Sequence, residues 1–245
     1  MTDFEALDPG RIGPLVGSGR SADVYQYGPD HVLRRFRTNE PQDPRVQELV
    51  KREAEVMIYA RSHGFPVPQV VAQEGTDMVM EFVHGPTMLD RVGSRPWEIG
   101  ALPRILARLH EQLSHIPAPP GMPRPFGPGD ALLHLDLHPG NVMMTQAGPM
   151  VIDWTNAGAG PPGADVAQTW LIMATSQLPG NWLNRAVAGA GRGLFLRRFL
   201  GAVASDEARA VMALVAAVRR LDPNVTVLEQ DRIDKMLVRF EPVPA

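Results

Sequence analysis

The chain of 245 residues contains no cysteine. This absence excludes disulfide bonds, thiolate metal sites and a cysteine nucleophile. Lysine is nearly absent as well, since only Lys51 and Lys235 stand among the 24 basic residues and the others are arginine. Any function that ordinarily uses a lysine must therefore use an arginine here.

Long apolar runs and a strong charge of either sign are also missing. The longest apolar run, residues 210–218, is much too short to span a bilayer, and the acidic first residues lack the apolar block of a signal peptide. A formal net charge of -3 disfavours a general nucleic-acid binder. We therefore expect a soluble, cytoplasmic protein with neither a membrane nor a nucleic-acid partner.

What the chain does contain predicts a sheet-rich part followed by a helical part. The first part has one stretch with helical spacing of apolar residues, 44–62, which ends before a glycine and two prolines. Pro14 marks the first strand as an edge strand or an irregular one. The strands expected there are residues 11–16, 24–27, 31–36, 69–72 and 78–83.

The pattern turns helical after residue 84. Helical spacing covers residues 99–113, and short strands joined by loops are expected within 131–145 and 149–156. From residue 164 onward we expect helices, with breaks at Pro179-Gly180, Gly201 and Asp222-Pro223. The sequence thus predicts an α+β protein with a ligand cleft between a small lobe and a larger one.

The first candidate site is the glycine-containing segment 17–24. Gly17 and Gly19 let the backbone approach phosphates closely and point its N–H groups at them. The segment also fits the pattern G-x-G-x-x-G/A, but that fold needs a helix opening at the glycines, whereas strand-type residues follow here. A glycine-tipped hairpin over phosphates is favoured, and an ordinary turn and an NAD site stay open as alternatives.

The second candidate is the segment His-Leu-Asp-Leu-His-Pro-Gly-Asn at residues 134–141. Its spacing suits a carboxylate, Asp136, that meets a substrate hydroxyl and an amide, Asn141, that turns back to a metal ion on phosphates. A metal site made by His134 and His138 and a loop without chemistry are the alternatives. A third candidate, Asp153, ends a short apolar run twelve positions after Asn141, so the two could hold Mg²⁺ through hard oxygen ligands.

Together these segments resemble the aminoglycoside phosphotransferase and choline kinase-related family of small-molecule kinases. The specific part is residues 134–141 followed by Ile152-Asp153-Trp154, and the resemblance extends from about residue 17 to about residue 165. It implies a protein-kinase-like two-lobe fold, with a small antiparallel-sheet N-lobe over residues 1–83 and a larger helical C-lobe over residues 84–245.

The resemblance implies a site for ATP, with GTP as the alternative nucleotide, and for Mg²⁺. Asn141 and Asp153 would hold the metal, Asp136 would accept the proton of the acceptor hydroxyl, and His134 would support the loop. Asp165 matches a family aspartate that is expected to brace the same loop. The residues implied in nucleotide binding are Gly17, Ser18, Gly19, Ser21, Arg34, Glu53, and the hinge residues Glu81 and Val83.

The chief departure from the family is its phosphate-binding lysine, which falls at Arg34. Arginine keeps the charge, but its planar fork is not a point charge, so the departure bears on catalytic rate more than on nucleotide binding. Glu53 would orient Arg34, while Arg35 would face the opposite side of the strand. Solvated charges at Arg34 and Glu53 are the alternative.

The acceptor is expected to be a small hydroxylated metabolite or antibiotic. Only eleven residues separate Asp153 from Asp165, which leaves no room for the long activation segment of a protein kinase. Amino alcohols, sugars and nucleoside-like hydroxyls stay open, and a catalytically silent nucleotide-binding module of the same fold is the alternative function. A polycationic acceptor would need an acidic patch, for which the candidates are Asp206, Glu207, Asp222, Glu229, Asp231 and Asp234, although a solvated helix face is favoured.

Overall fold

A computed structural model describes residues 7–19, 21–38, 43–176, 182–222, 225–238 and 240, with the backbone alone for residues 182–188. The chain divides into two compact units. Unit 1 comprises Met1–Gly85 and Thr145–Thr155, and unit 2 comprises Pro86–Met144 and Asn156–Ala245. The predicted division into domains 1–83 and 84–245 stays a prediction.

Unit 1 is built on a five-stranded antiparallel sheet with the strand order β1-β2-β3-β5-β4. The first strand lies at an edge of the sheet, as its proline predicts, because proline cannot donate a ladder hydrogen bond. The strands are β1 (Ile12–Ser18), β2 (Ala22–Tyr27), β3 (His31–Phe36), β4 (Val70–Glu74) and β5 (Asp77–Glu81).

One helix, α1 (Pro44–Ser62), packs on this sheet. It begins where Asp43 accepts a hydrogen bond from the Arg45 N–H at 2.9 Å, and it ends before Gly64, which has a φ of 79°. Its buried face is apolar except for Glu53. The helix therefore carries one carboxylate into the interior of unit 1.

The short strand β8 (Pro149–Val151) also belongs to unit 1. The Val151 N–H donates to the Pro66 carbonyl at 2.8 Å. Directly after this strand, Trp154 is buried and meets the Phe65 ring edge-on, with ring centroids 5.5 Å apart. These contacts fix the position of the intervening Asp153.

Unit 2 is mostly helical. Its first helix starts with a capping box in which Thr87 and Asp90 satisfy each other's backbone N–H groups. A 3-10 helix, Pro96–Gly100, precedes the next helix. The elements of this unit are α2 (Met88–Ser94), α3 (Leu102–Ser114), β6 (Ala131–Leu133), β7 (Val142–Met144), β9 (Gly158–Gly160), α4 (Pro162–Thr175), α5 (Trp182–Leu200), α6 (Ser205–Arg220) and α7 (Val227–Leu237).

The predicted α+β class is confirmed, and β3 and α1 have the predicted bounds. The helix expected from residue 99 begins at Leu102, because the preceding residues form the 3-10 helix. The helix α2 lies in the region expected to be helical, although its bounds are not predicted, and the Gly-Ala-Gly strand β9 is not expected from the sequence. The break at Gly201 is confirmed, whereas Pro179-Gly180 and Pro223 lie outside the described residues.

No helix in the described part of the chain combines the length and apolar character needed to cross a membrane.

Close packing of α4 against α6 leads to a stability prediction at Gly163. A Cβ atom there would come within 2.7 Å of the backbone carbonyl carbon of Glu207. We expect Gly163→Ala to lower the free energy of unfolding by about 1–3 kcal/mol, measured by chemical denaturation, because backbone must move. The matched control is Gly93→Ala in α2, where nothing lies within 4 Å of the added atom. It should raise stability by about 0.5–1 kcal/mol, and equal effects of both changes would contradict the packing argument.

Candidate active site

The glycine segment is a hairpin tip between β1 and β2. Ser18 pairs with Asp23 across the two strands, and the Gly19 N–H donates to the Ala22 carbonyl at 2.8 Å. The strand β2 follows at once, so the helix that a dinucleotide-binding fold requires is absent from this described segment. The predicted glycine-tipped hairpin is confirmed, and the segment does not have the structure that the dinucleotide-binding pattern requires.

Arg37, which follows the end of β3, contacts both strands of this hairpin. Arg37 Nη2 donates to the Ser18 hydroxyl at 2.5 Å and forms an ion pair with Asp23. The Arg37 N–H donates to the Ser21 carbonyl at 2.8 Å. The Ser18 hydroxyl in turn donates to Asp23 at 2.7 Å. The hairpin tip is therefore held at its base by a network that no sequence pattern predicts.

The predicted pairing of Arg34 with Glu53 is confirmed in the interior of unit 1. Arg34 is 8% exposed and Glu53 is 2% exposed, so neither is a solvated surface charge. Arg34 Nη1 pairs with Glu53 Oε1, and its Nη2 donates to Asp153 Oδ1 at 2.8 Å. The planar guanidinium thus bridges two carboxylates through two different nitrogens, Nη1 and Nη2.

Side chains alternate between the two faces of β3, which explains why Arg34 and not Arg35 pairs with Glu53. Arg35 points to the other face of the sheet, where its side chain is 46% exposed and pairs with Asp77 at 2.6 Å. Arg34, in contrast, lies with its guanidinium 4.5 Å from the ring centroid of Phe36. Only Arg34 is placed in the buried cluster.

Glu53 receives hydrogen bonds from three directions. Besides Arg34, the Trp154 N–H donates to Oε1 at 3.0 Å and the Thr155 hydroxyl donates to Oε2 at 2.9 Å. Burial raises the pKa of the Glu53 carboxyl, while Arg34 and the Thr155 hydroxyl act in the opposite direction. For Arg34, burial alone would lower the pKa, but Glu53 and Asp153 outweigh it and the pKa is raised.

Asp153 sits at a strained turn after β8. Its φ of 64° is uncommon for a residue other than glycine. Its side chain is 42% exposed although Arg34 holds one of its oxygens. The cluster of Arg34, Glu53 and Asp153 carries one positive and two negative charges when all three are ionised. The surplus negative charge lies on the partly exposed Asp153, where it suits a divalent cation.

The hinge residues Glu81 and Val83 stand at the end of β5 and just beyond it. The Glu81 N–H donates to the Gln69 carbonyl at 2.8 Å, and the Phe82 N–H donates to the Asp30 carbonyl on the other side at 2.8 Å. The part of Glu81 and Val83 in binding a base stays a prediction.

In unit 2, the loop after β6 holds Asp136 and Asn141 together. Asn141 Nδ2 donates to the Asp136 carbonyl at 2.9 Å and to Asp136 Oδ2 at 3.1 Å. The 3-10 helix Pro139–Asn141 makes the turn between them. The amide nitrogen of Asn141 thus orients the carboxylate, and its Oδ1 is an oxygen of the kind that hard cations prefer.

The two histidines of this loop have structural contacts. His134 is buried, and its Nδ1 accepts from the Asp136 N–H at 3.2 Å. His138 Nδ1 accepts from the Gly140 N–H at 3.0 Å, and its Nε2 lies 3.6 Å from Asp136 Oδ1. Both Nδ1 atoms are therefore engaged with backbone, which argues against a metal site made by this pair and agrees with a supporting role for His134.

Asp165 braces the loop from α4, as expected. Its Oδ1 accepts from the Leu135 N–H at 2.6 Å, and a hydrogen bond from the His134 backbone adds to this. Leu135 has a φ of 62°, a conformation that costs free energy in a branched residue and needs support from its surroundings. The hydrogen bond between Leu135 and Asp165 lies inside unit 2, next to the candidate base Asp136.

Sequence reasoning missed two contributors, Thr155 and Arg37. Thr155 lies two positions after Asp153 and contacts Glu53 and Asp153, each at 2.9 Å. Arg37 lies three positions after Arg34. No pattern in the sequence distinguishes either from an ordinary polar residue, because their partners come from distant strands and turns.

Comparison with known proteins supports the family resemblance of the sequence. The sequence pattern of the phosphotransferase enzyme family matches residues 13–128 and 120–203, which is more than half of the chain. No curated protein matches the sequence.

Three solved structures with similar folds are all distant in sequence. A ternary complex of APH(2")-IIa with streptomycin and ATP is 13% identical with a TM-score of 0.62, covering 96% of this chain and 97% of that chain. The ADP-bound aminoglycoside phosphotransferase APH(2'')-Ib is 14% identical with a TM-score of 0.60, covering 94% and 91%. A choline/ethanolamine kinase family protein from Mesorhizobium loti is 16% identical with a TM-score of 0.51, covering 96% and 90%. With this fold and the family match, the chain belongs to the phosphotransferase enzyme family.

Proposed function

We propose that this protein is a small-molecule kinase that transfers the γ-phosphoryl group of ATP to a hydroxyl of its acceptor. The observation that carries the proposal is the buried cation Arg34, held by Glu53 beside the partly exposed Asp153. A fixed positive charge next to a carboxylate is what a metal–triphosphate site needs. Solved proteins of the same fold are described as complexes with ATP, ADP and GDP.

The donor set of the proposed metal site fits Mg²⁺. Among the residues that the structure describes, no three His, Asp or Glu side chains are grouped to hold a metal. Magnesium commonly binds through one or two protein oxygens, with phosphates and water completing its octahedron. The proposed ligands, Asn141 and Asp153, offer an amide oxygen and a carboxylate of this kind. When bound, the ion would neutralise charge on the phosphates.

The proposed catalytic work of the chain is positioning. The tip of the hairpin between β1 and β2 covers the phosphates, and Arg34 contacts the α- and β-phosphates. The Glu81 carbonyl and the Val83 N–H bind the base. Asp136, oriented by Asn141, accepts the hydroxyl proton of the acceptor and directs its oxygen toward the γ-phosphorus.

For the acceptor we propose a small hydroxylated molecule that is not strongly cationic. Amino alcohols, sugars and nucleosides belong to this class, and a polycationic antibiotic does not. Eight residues separate Asp153 from the start of α4, so a long phosphorylatable segment has no room there. Of the six candidate acidic residues, five lie within 4 Å of an arginine or lysine, which leaves little uncompensated negative charge: Asp206, Asp222, Glu229, Asp231 and Asp234.

Acceptor-dependent ADP release from Mg·ATP tests the proposal. We expect release with at least one member of a panel of amino alcohols, sugars, nucleosides and aminoglycosides, and no release when EDTA replaces Mg²⁺. The same panel with GTP establishes which nucleotide is used. Tight binding of Mg·ATP with no release across the panel would favour the silent nucleotide-binding module instead.

A further inference from the structure

A buried pair of titratable side chains lies beneath the loop that carries Asp136. His110 of α3 and Asp165 of α4 are 5% and 3% exposed, and His110 Nδ1 lies 3.6 Å from Asp165 Oδ2. His110 Nδ1 is buried without a hydrogen-bond partner at normal distance. Buried polar atoms nearly always have a hydrogen-bond partner, so a buried Nδ1 without one is unusual.

The hydroxyl of Thr169 determines which nitrogen of His110 carries the proton. A hydroxyl has a single hydrogen, and that of Thr169 is donated to the Leu137 carbonyl at 2.7 Å. The same oxygen lies 3.2 Å from His110 Nε2. Because the hydroxyl hydrogen is already used, Nε2 must donate and Thr169 Oγ1 must accept. In a neutral imidazole the other nitrogen, Nδ1, is then an acceptor with no hydrogen.

That assignment puts a lone pair of Nδ1 opposite a buried carboxylate. Two acceptors facing each other at 3.6 Å repel, and the contact becomes attractive only when a proton lies between them. Asp165 Oδ1 already accepts from the Leu135 N–H, which leaves Oδ2 as the oxygen that faces Nδ1. The missing proton therefore belongs between Oδ2 and Nδ1.

We propose that Asp165 is a neutral carboxylic acid whose Oδ2–H donates to Nδ1 of a neutral His110, and that this pair positions the backbone of Leu135. The acid keeps its carbonyl oxygen, Oδ1, for the Leu135 N–H, so one side chain serves the loop and the helix α3 together. Asp165 and His110 are thus positioning residues. The consequence for Asp136 rests on the proposed function, whereas the protonation state does not.

The electrostatic surroundings agree with one shared proton. Burial raises the pKa of Asp165 from 3.8 to about 7, although the backbone hydrogen bonds oppose this. Burial lowers the pKa of His110 from 6.5 to about 3, and a hydrogen bond to the Leu137 backbone opposes it. The other titratable groups that act on the pair are His134 and Asp136 on the loop. From α5, the uncharged Phe199 packs against the His110 ring.

The sign of the pH effect on stability follows from these two shifts. The raised pKa of Asp165 gives stability that is lost as the pH rises from about 4 toward 7. The lowered pKa of His110 gives stability that is lost as the pH falls from about 6.5 toward 3. Between these limits the folded and the unfolded pair each hold one proton, so the two effects cancel in the native protein.

Asp165→Asn removes the contribution of Asp165 to the pH dependence of stability, while it keeps the hydrogen bonds of the side chain. The amide oxygen can accept from the Leu135 N–H, and the amide nitrogen can donate to Nδ1 of His110. We expect its unfolding equilibrium constant to rise up to about tenfold per pH unit, relative to the native protein, as the pH falls below 6.5. Parallel pH profiles for the two proteins would overturn the proposal.

Two further measurements test where the proton lies and whether Asp165 positions the Leu135 backbone. The first is a two-bond ¹H–¹⁵N correlation spectrum at pH 6, in which the His110 signals are assigned by comparison with His110→Gln. We expect a neutral His110 ring that is protonated on Nε2. A ring protonated on Nδ1 or an imidazolium would overturn the proposal. Hydrogen exchange at the Leu135 amide should stay protected in Asp165→Asn and become faster in Asp165→Ala. Equal protection in both variants would refute the positioning role. Neither readout depends on finding the acceptor.

Discussion

Asp136→Asn should lower acceptor-dependent ADP release by about 10²–10⁴-fold, the range typical of a lost general base. The carboxylate lies on a loop where Asn141 orients it, and an amide in its place cannot accept the hydroxyl proton. Folding should be unaffected, because Asp136 is partly exposed and an asparagine occupies the same volume. The measurement is the rate at saturating Mg·ATP and acceptor, beside thermal unfolding.

The matched control for this change is Asp130→Asn. Asp130 belongs to the same unit, and its side chain is 91% exposed and pairs only with Arg124 among the described charged residues. We expect its turnover to stay within about twofold of the native rate, since exposed ion pairs contribute little. Full activity of Asp136→Asn would remove Asp136 from the role of proton acceptor.

Arg34→Gln should strongly destabilise unit 1. It leaves Glu53 buried with no cation, and breaking a buried ion pair by removing one partner costs about 3–5 kcal/mol. Asp153 loses its partner Nη2 at the same time. We also expect the affinity for Mg·ATP to fall, because the fixed positive charge beside the phosphates is gone. Denaturant unfolding and calorimetric titration measure the two effects.

A double variant separates the stability effect from the binding effect. Arg34→Gln with Glu53→Gln removes both charges, so most of the lost free energy of unfolding should return, whereas the affinity for Mg·ATP should not. The control is Arg35→Gln on the same strand, where the ion pair with Asp77 is exposed and about 0–1 kcal/mol is expected. Similar losses for Arg34→Gln and Arg35→Gln would contradict the buried-cluster account.

Local pattern predicted the elements whose interactions are local. The helix α1 and the strand β3 were predicted with their observed bounds, because apolar spacing, a proline at the helix start and a glycine after its end all agree. The helix α2 has only seven residues, too few for a periodic signal. The strand β9 consists of glycine and alanine, which have low strand propensity, and forms because it pairs with β6.

The candidate site divides in the same way. Spacing alone singled out Asp136, Asn141 and Asp153, and family resemblance added the pairing of Arg34 with Glu53. The contact of Arg34 with Asp153 joins residues 119 positions apart, and that of His110 with Thr169 joins residues 59 apart. No spacing rule reaches so far, because such contacts exist only once helices and strands have packed.

Transfer of a labelled γ-phosphoryl group tests the central claim most directly. ATP labelled at the γ-phosphorus is incubated with Mg²⁺, the native protein and the most active acceptor of the panel, and the products are separated. We expect the label in a phosphate monoester of the acceptor, formed in proportion to ADP and nearly absent with Asp136→Asn. Label that remains in ATP, or that appears only as inorganic phosphate while Mg·ATP binds tightly, would contradict a small-molecule kinase.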